Sequence, residues 1–419
     1  DLLWSAAVSA SFVVVILMSP IMGAIADFRA IQKPMLMILG LLCAIMTCAL
    51  ALIPLGQSNA PNVTPILIAM AIYIPANVLY ALGENFLAAF LPEISERRTM
   101  GRVSGFGWSM GYVGALLLLI ICGIAMTITG RADSASFRPY FVFAGVWFII
   151  MAIPTLIFLG ERAVRQPTPE GHSLVRVGFE RLGQTARAAT RFRHLLRFLG
   201  AFLVYGFGVQ VIIFFASPIA EAFGFAEKRL VIFVLILTVV AGVAAVTTTF
   251  IQDRIGHRRT VFLFLIVWTI NALGLAAMAW YKSQAAAGVT LPQWPVWVVG
   301  AGLGLGLGGI GSSSRALVGA FTPAHRTAEF FGLWGLTYKL AGAIGVLMFG
   351  VTRSLLGETA SLVLLAGFFV VGFCILLTVS EREGVAAAHE EEDRHRKSGG
   401  DALPPAAGLG AGGPVETTP

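Results

Sequence analysis

Runs of about 20 apolar residues, each ended by a charge, a Pro or a Gly, constrain this chain more than any other feature. At 1.5 Å per residue such a run crosses the roughly 30 Å hydrocarbon core of a bilayer. Inside that core only a helix or a closed barrel satisfies every backbone N–H and C=O. The runs stand at 3–26, 35–55, 64–90, 104–128, 139–160, 195–222, 230–251, 261–281, 293–320, 330–353 and 360–380. They predict an all-α polytopic membrane protein with eleven transmembrane helices visible. Only 12% of the residues are charged and 57% are hydrophobic, against about 25% charged in a soluble domain. A water-soluble enzyme or binding module is excluded.

The formal charge of +7 is distributed over loops rather than gathered on one soluble face, which argues against nucleic acid as a partner. One side of the membrane receives Arg29, Lys33, Arg97, Arg98, Arg102, the stretch from Arg162 to Arg197, Arg254, Arg258, Arg259, Arg326 and the tail. The other receives only Arg131, Arg138, Lys228, Arg229, Lys282 and Arg353. By the positive-inside rule the first side is cytoplasmic, so the C-terminus is expected there. A bacterial inner membrane is the expected location, with an organelle membrane as the alternative.

Cys43, Cys48, Cys122 and Cys374 all lie in apolar runs without a CxxC or Cys/His cluster, so neither a disulfide framework nor a metal site is expected. Gly304, Gly306 and Gly309 formally spell GxGxxG, but no strand precedes them. The four-residue spacing of Gly300, Gly304 and Gly308 suits close helix packing instead. No GxxxxGK[ST] or HExxH occurs, so neither ATP-driven transport nor a zincin-type enzyme is expected, and no cofactor is implied.

The runs divide the chain into a first transmembrane half at 1–160, a basic linker at 161–194, a second half at 195–380 and a disordered cytoplasmic tail at 381–419. In the linker, Leu174, Gly178, Leu182, Thr185, Ala189, Phe192 and Leu196 share one helical face, as in an amphipathic helix on an anionic membrane surface. Two short matches recur in order. Gly23-Ala-Ile-Ala-Asp27 with Arg29 and Lys33 returns as Thr249-Phe-Ile-Gln-Asp253 with Arg254, Arg258 and Arg259. Pro92 with Arg98-Thr99 returns as Pro323 with Arg326-Thr327. Duplicated halves follow. The second has six helices, so the first is expected to have six as well, twelve in the complete protein, with the first helix missing from this chain and belonging before Asp1, where the chain starts without Met.

Two six-helix halves with an acidic residue and then basic ones after the second helix of each resemble the major facilitator superfamily. Asp253-Arg254-Ile255-Gly256-His257-Arg258-Arg259 is very close to that superfamily's loop pattern, whereas the first copy has Ala30-Ile31 where Gly is expected. Leu91-Pro92-Glu93-Ile94 with Gly101-Arg102-Val103-Ser104-Gly105-Phe106-Gly107-Trp108, and Ser314-Arg315-Ala316-Leu317 with Ala328-Glu329-Phe330-Phe331-Gly332-Leu333, resemble the unknown major facilitator branch. That branch includes a fungal vacuolar effluxer linked to autophagy and associated with amino-acid export. The resemblance implies a secondary transporter working by alternating access, with the central cavity lined in part by the spans at 64–90, 195–222 and 293–320.

An ionisable group inside a span costs about 2.5–3.5 kcal/mol on insertion scales and asks for a reason. Glu84 lies roughly 9 Å from the cytoplasmic end of its helix, with Asn85 beside it and Asn77 two turns earlier; it could exchange a proton or bind an ammonium. Arg315 follows Ser312-Ser313-Ser314 at a comparable depth and is shaped to hold a carboxylate, or to pair with Glu84 across the halves. Lys339 sits near the midplane, as a charge-pair member or a substrate contact. Tyr205, Gln210, Tyr73 and Tyr80 could add neutral hydrogen bonds. The loop residues Gly23, Asp27, Arg29, Lys33, Asp253, Arg254, Arg258 and Arg259 read as a gating latch, with Gly23 letting a neighbouring helix approach closely. The expected function is secondary transport of a small, amino-acid-like solute, with protons as one driving force, by a monomer in the lipid bilayer. A non-transporting sensor of the same fold and a membrane-embedded enzyme are the competing readings.

Overall fold

A computed structural model describes residues 1–53, 63–90, 94, 100–129, 138–160, 174–284, 294–323 and 326–397. The motif at 91–93, Arg97, Arg98, the first part of the linker and the end of the tail lie outside the described residues, as do the side chains of Asp27, Arg102 and Asp253.

The described chain is helical: α1 Leu2–Arg29, α2 Gln32–Ala49, α3 Thr64–Ala89, α4 Met100–Thr129, α5 Arg138–Phe158, α6 Leu174–Ala189, α7 Arg193–Ala222, α8 Glu227–Ile255, α9 His257–Gln284, α10 Trp294–Ala320, α11 Thr327–Leu377 and α12 Glu381–Lys397. Pro65, Pro139 and Pro295 each stand in a first helical turn, where their missing N–H has no partner to lose. Thr47, Thr127, Thr238 and Thr269 donate to carbonyls one turn back, which satisfies hydroxyls that hydrocarbon cannot.

Among the described residues ten helices are long and apolar enough to cross a membrane, and the last of them crosses twice. Gly357 interrupts α11 with φ 85°. Gly345 and Phe369, at equal sequence distances from Gly357, touch the neighbouring positions Phe207 and Gly208 of α7. A straight helix would hold them about 36 Å apart. The two limbs therefore form a hairpin against α7, and the passes agree with the eleven apolar runs.

Lipid gives apolar helices no hydrophobic reason to associate, so close backbone approach must supply the contact. In α10 the glycines form two stripes. Gly300, Gly304 and Gly308 meet Phe233, Leu237 and Ala241 of α8, while Gly302, Gly306 and Gly309 meet Asn271, Trp268 and Phe264 of α9. The glycine run is a packing device, as its spacing implies.

Two seams join the first five passes to the last six: α1 against α11, and α4 against α8. The register that maps Asp27 onto Asp253 maps α1 onto α8, and the second repeat match maps α4 onto the first limb of α11. The two seams exchange under it.

The linker helix is present at Leu174–Ala189, but its small-residue position faces protein: a Cβ on Gly178 would collide with the Pro20 carbonyl of α1. The tail differs from expectation over 381–397, where a disordered segment was expected and a docked helix is found. Gly384 and Ala388, one turn apart, are buried, and Gly384 abuts Phe321. The Glu381 carboxylate accepts from the backbone N–H groups of His257 (3.2 Å) and Arg258 (3.0 Å), capping α9. Charged residues on the other faces of α12 hide this docking face from any compositional reading.

Ala30 ends α1 with φ 53°, and Gly256, its counterpart in the repeat, ends α8 with φ 92°. A left-handed conformation costs an L-residue about 1–2 kcal/mol. Ala30→Gly is expected to raise the unfolding free energy of the detergent-solubilised protein by about 1 kcal/mol, measured as a shifted denaturation midpoint; Ala30→Val should lower it.

Candidate functional site

Glu84 on α3 and Lys339 on α11 form an ion pair between the first five passes and the last six. The Lys339 side chain is 5% exposed and that of Glu84 31% exposed. Taking two charges out of water is repaid only by good geometry and further partners. Here the rings of Phe12 and Tyr338 lie 6.0 and 5.5 Å from the Lys339 ammonium, and Glu84 acts electrostatically on Arg315, Tyr80 and Tyr338.

Arg315 on α10 is held by two indoles, Trp108 of α4 and Trp334 of α11, each 5.2 Å from its guanidinium carbon. Ring contacts of this kind restrain the plane of the guanidinium. The sequence offered Arg315 as the partner of Glu84 across the halves and named no partner for Lys339; the structure instead bonds Glu84 to Lys339. One carboxylate and two cations from α3, α10 and α11 therefore share an aromatic-walled centre, a charge arrangement that suits a ligand bearing both an ammonium and a carboxylate.

The remaining candidates position this centre. Tyr205 and Ser314 share a hydrogen bond of 2.7 Å beside Arg315, and the Gln210 amide donates to the Tyr338 carbonyl (3.1 Å) beside Lys339. Both come from α7 and hold α10 and α11 in register. Asn77 donates to the Ser11 hydroxyl (2.6 Å) and Asn85 to the Ser19 hydroxyl (2.9 Å), tying α3 to α1 in parallel. In this state their amides serve the helix interface. Trp108, Trp334 and Tyr338 are the residues that sequence reasoning missed. Trp334 and Tyr338, one helical turn apart, place their rings on the face that meets Arg315 and Lys339.

The α1–α11 seam is tight at one end and parted at the other. Ser5 meets Gly350 and Phe12 meets Gly342, while Asp1 and Arg353 pair at 3.4 Å. Gly23 falls on the same face of α1, and Gly332 and Gly335 on the same face of α11, yet among the described residues a Cβ added at any of them would meet nothing within 4 Å. Gly23 was expected to admit a close neighbour. In this state that role belongs to Gly178 against Pro20, because the seam has opened around Gly23. Lys339 lies between Gly335 and Gly342, where the tight part gives way to the parted one.

At the parted end Arg29, Arg254 and Arg259 are exposed and Lys33 is half-buried. Arg258 donates to the Leu376 (3.4 Å) and Leu377 (3.0 Å) carbonyls and stacks on Phe262.

The family model described as "Vacuole effluxer Atg22 like" matches residues 3–389. An uncharacterized MFS-type transporter of Bacillus subtilis, YxiO, is 24% identical over 92% of this chain and 86% of its own length. Autophagy-related protein 22-1 of Aspergillus niger is 24% identical over 76% of this chain; the match spans 54% of the fungal protein. A solved D-xylose-proton symporter superposes with a TM-score of 0.66 at 14% identity, covering 91% of this chain and 90% of its own.

Removing one member of a buried pair leaves the other uncompensated. Glu84→Ala, which strands the more buried Lys339, is expected to cost about 3 kcal/mol, Lys339→Ala less, and the double variant less than the sum. Thermal unfolding of the solubilised proteins measures this, and simple additivity would contradict a coupled pair.

Proposed function

The chain belongs to the Atg22-like vacuole effluxer family of major-facilitator membrane transporters, and on that premise we propose that it carries a small amino-acid-like zwitterion by alternating access. The observation that carries this reading is the Glu84–Lys339 pair at the point where the seam parts, with Arg315 in its field.

An entering ammonium replaces Lys339 at Glu84, and the substrate carboxylate engages Arg315 and the released Lys339. The bond joining the two sides of the seam is then broken. Substrate thereby weakens the tight end and favours the state open on the other side. A proton on Glu84 cancels the same attraction, which makes protons the coupling ion; the structurally similar D-xylose-proton symporter is named for such coupling.

The parted end bears Arg29, Lys33, Arg254, Arg258 and Arg259 and is assigned to the cytoplasm, together with the C-terminus. Residues 1–160 and 195–380 act as the two moving halves joined by the linker at 161–194, and the exchange of the two seams under the repeat supports that division. The long match to a Bacillus subtilis relative supports a bacterial plasma membrane rather than a vacuole.

Uptake of a labelled amino-acid mixture into proteoliposomes, with and without an imposed pH gradient, tests the proposal. Gradient-driven uptake is expected, with Arg315→Ala reducing it about 10- to 100-fold. Glu84→Gln is expected to keep exchange and lose its response to the gradient. Absence of uptake for every labelled amino acid, or full uptake by Arg315→Ala, would overturn the reading.

A further inference from the structure

A second site lies at the basic end of the last six passes, away from the ion-pair centre. A cavity of about 410 Å³ opens where α7 enters the membrane at Arg193. Arg191, Arg193 and Arg197 supply three cations around it, while Phe192, Leu195 and Phe321 behind them are already buried in the core of the last six passes. The docked tail helix closes one side through Gly384 and Ala387.

The charge balance in this cavity is cationic. Arg197 donates to the neutral Thr378 carbonyl (3.1 Å) and keeps its charge. Glu383, the one carboxylate among the described residues that line the cavity, is already bonded to His194 Nε2 at 2.9 Å. That hydrogen bond, more than the surrounding charges, holds Glu383 below the usual carboxylate range. His194 Nδ1 in turn accepts from the Ser380 N–H (2.9 Å), so the acid and its imidazole are committed to holding the tail. Three guanidiniums at the level where a transmembrane helix enters the bilayer match the anionic head of a lipid whose chains lie in the membrane beside α7.

We infer that this cavity binds the headgroup of an anionic phospholipid, seated between the start of α7 and the tail helix. The site is separate from the transport centre, and a bound lipid would tie the tail helix to the second half.

Native mass spectrometry of the solubilised protein titrated with phosphatidylglycerol or phosphatidylcholine tests it. One phosphatidylglycerol is expected to bind about tenfold more tightly than phosphatidylcholine. Arg191→Gln/Arg193→Gln should erase that preference, while Arg176→Gln, on the exposed face of the linker helix, should keep it. In the unmodified protein the preference should fall as salt is raised, a reading that does not depend on the variants folding. Equal binding of the two lipids, a preference untouched by the double variant, or displacement of the lipid by millimolar inorganic phosphate would overturn the inference; the last would assign the site to a free phosphate.

Discussion

The structure depends on a single condition of the bilayer: apolar helices gain nothing from one another that lipid does not already give them. Association must come from close backbone approach and from polar bonds that hydrocarbon cannot replace. The glycine stripes of α10 meet the first need, against α8 on one side and α9 on the other. The Asn77–Ser11 and Asn85–Ser19 bonds meet the second, between α3 and α1. Each of these contacts lies within the first five passes or within the last six, and makes a firm body of its helices.

The seams between those bodies are built differently. Where α1 meets α11, Gly342 and Gly350 receive Phe12 and Ser5 at one end, while Gly23, Gly332 and Gly335 meet nothing among the described residues at the other. Firm bodies with a seam that is tight over part of its length can rock, whereas a seam packed like α10 throughout could not. The Glu84–Lys339 pair stands at the transition. A charge pair is suited to that place because a competing charge can replace either member, while a packed methyl group has no such competitor.

Much of the fold is legible in the sequence because the bilayer requires it to be. Eleven apolar runs had to become eleven passes, and Gly357 marks the turn between the last two. The charges Glu84, Arg315 and Lys339 stand out because a span tolerates so few of them. Their pairing is not legible: which cation meets Glu84 depends on how α10 and α11 rotate, and the Tyr205–Ser314 and Gln210–Tyr338 bonds set that rotation through tertiary contacts. Asn77 and Asn85 read as site residues because their serine partners lie on another helix. Trp108, quoted only within a family motif, and Trp334 were not read as site residues because an aromatic in a span is ordinarily packing. The tail helix was hidden by its composition, since its docking face is made of the small apolar residues Gly384, Val385, Ala387 and Ala388 among many charges, and Glu381 acts through backbone N–H groups.

The most direct test of the central claim, that the Glu84–Lys339 bond holds the seam closed at its tight end, is a distance across that end. Spin labels at the exposed positions Leu3 and Leu355, in a background without Cys43, Cys48, Cys122 and Cys374, report it by double electron–electron resonance. The account predicts one short distance in the parent and an added longer population when Glu84→Gln removes the charge. An unchanged distribution in Glu84→Gln would contradict it.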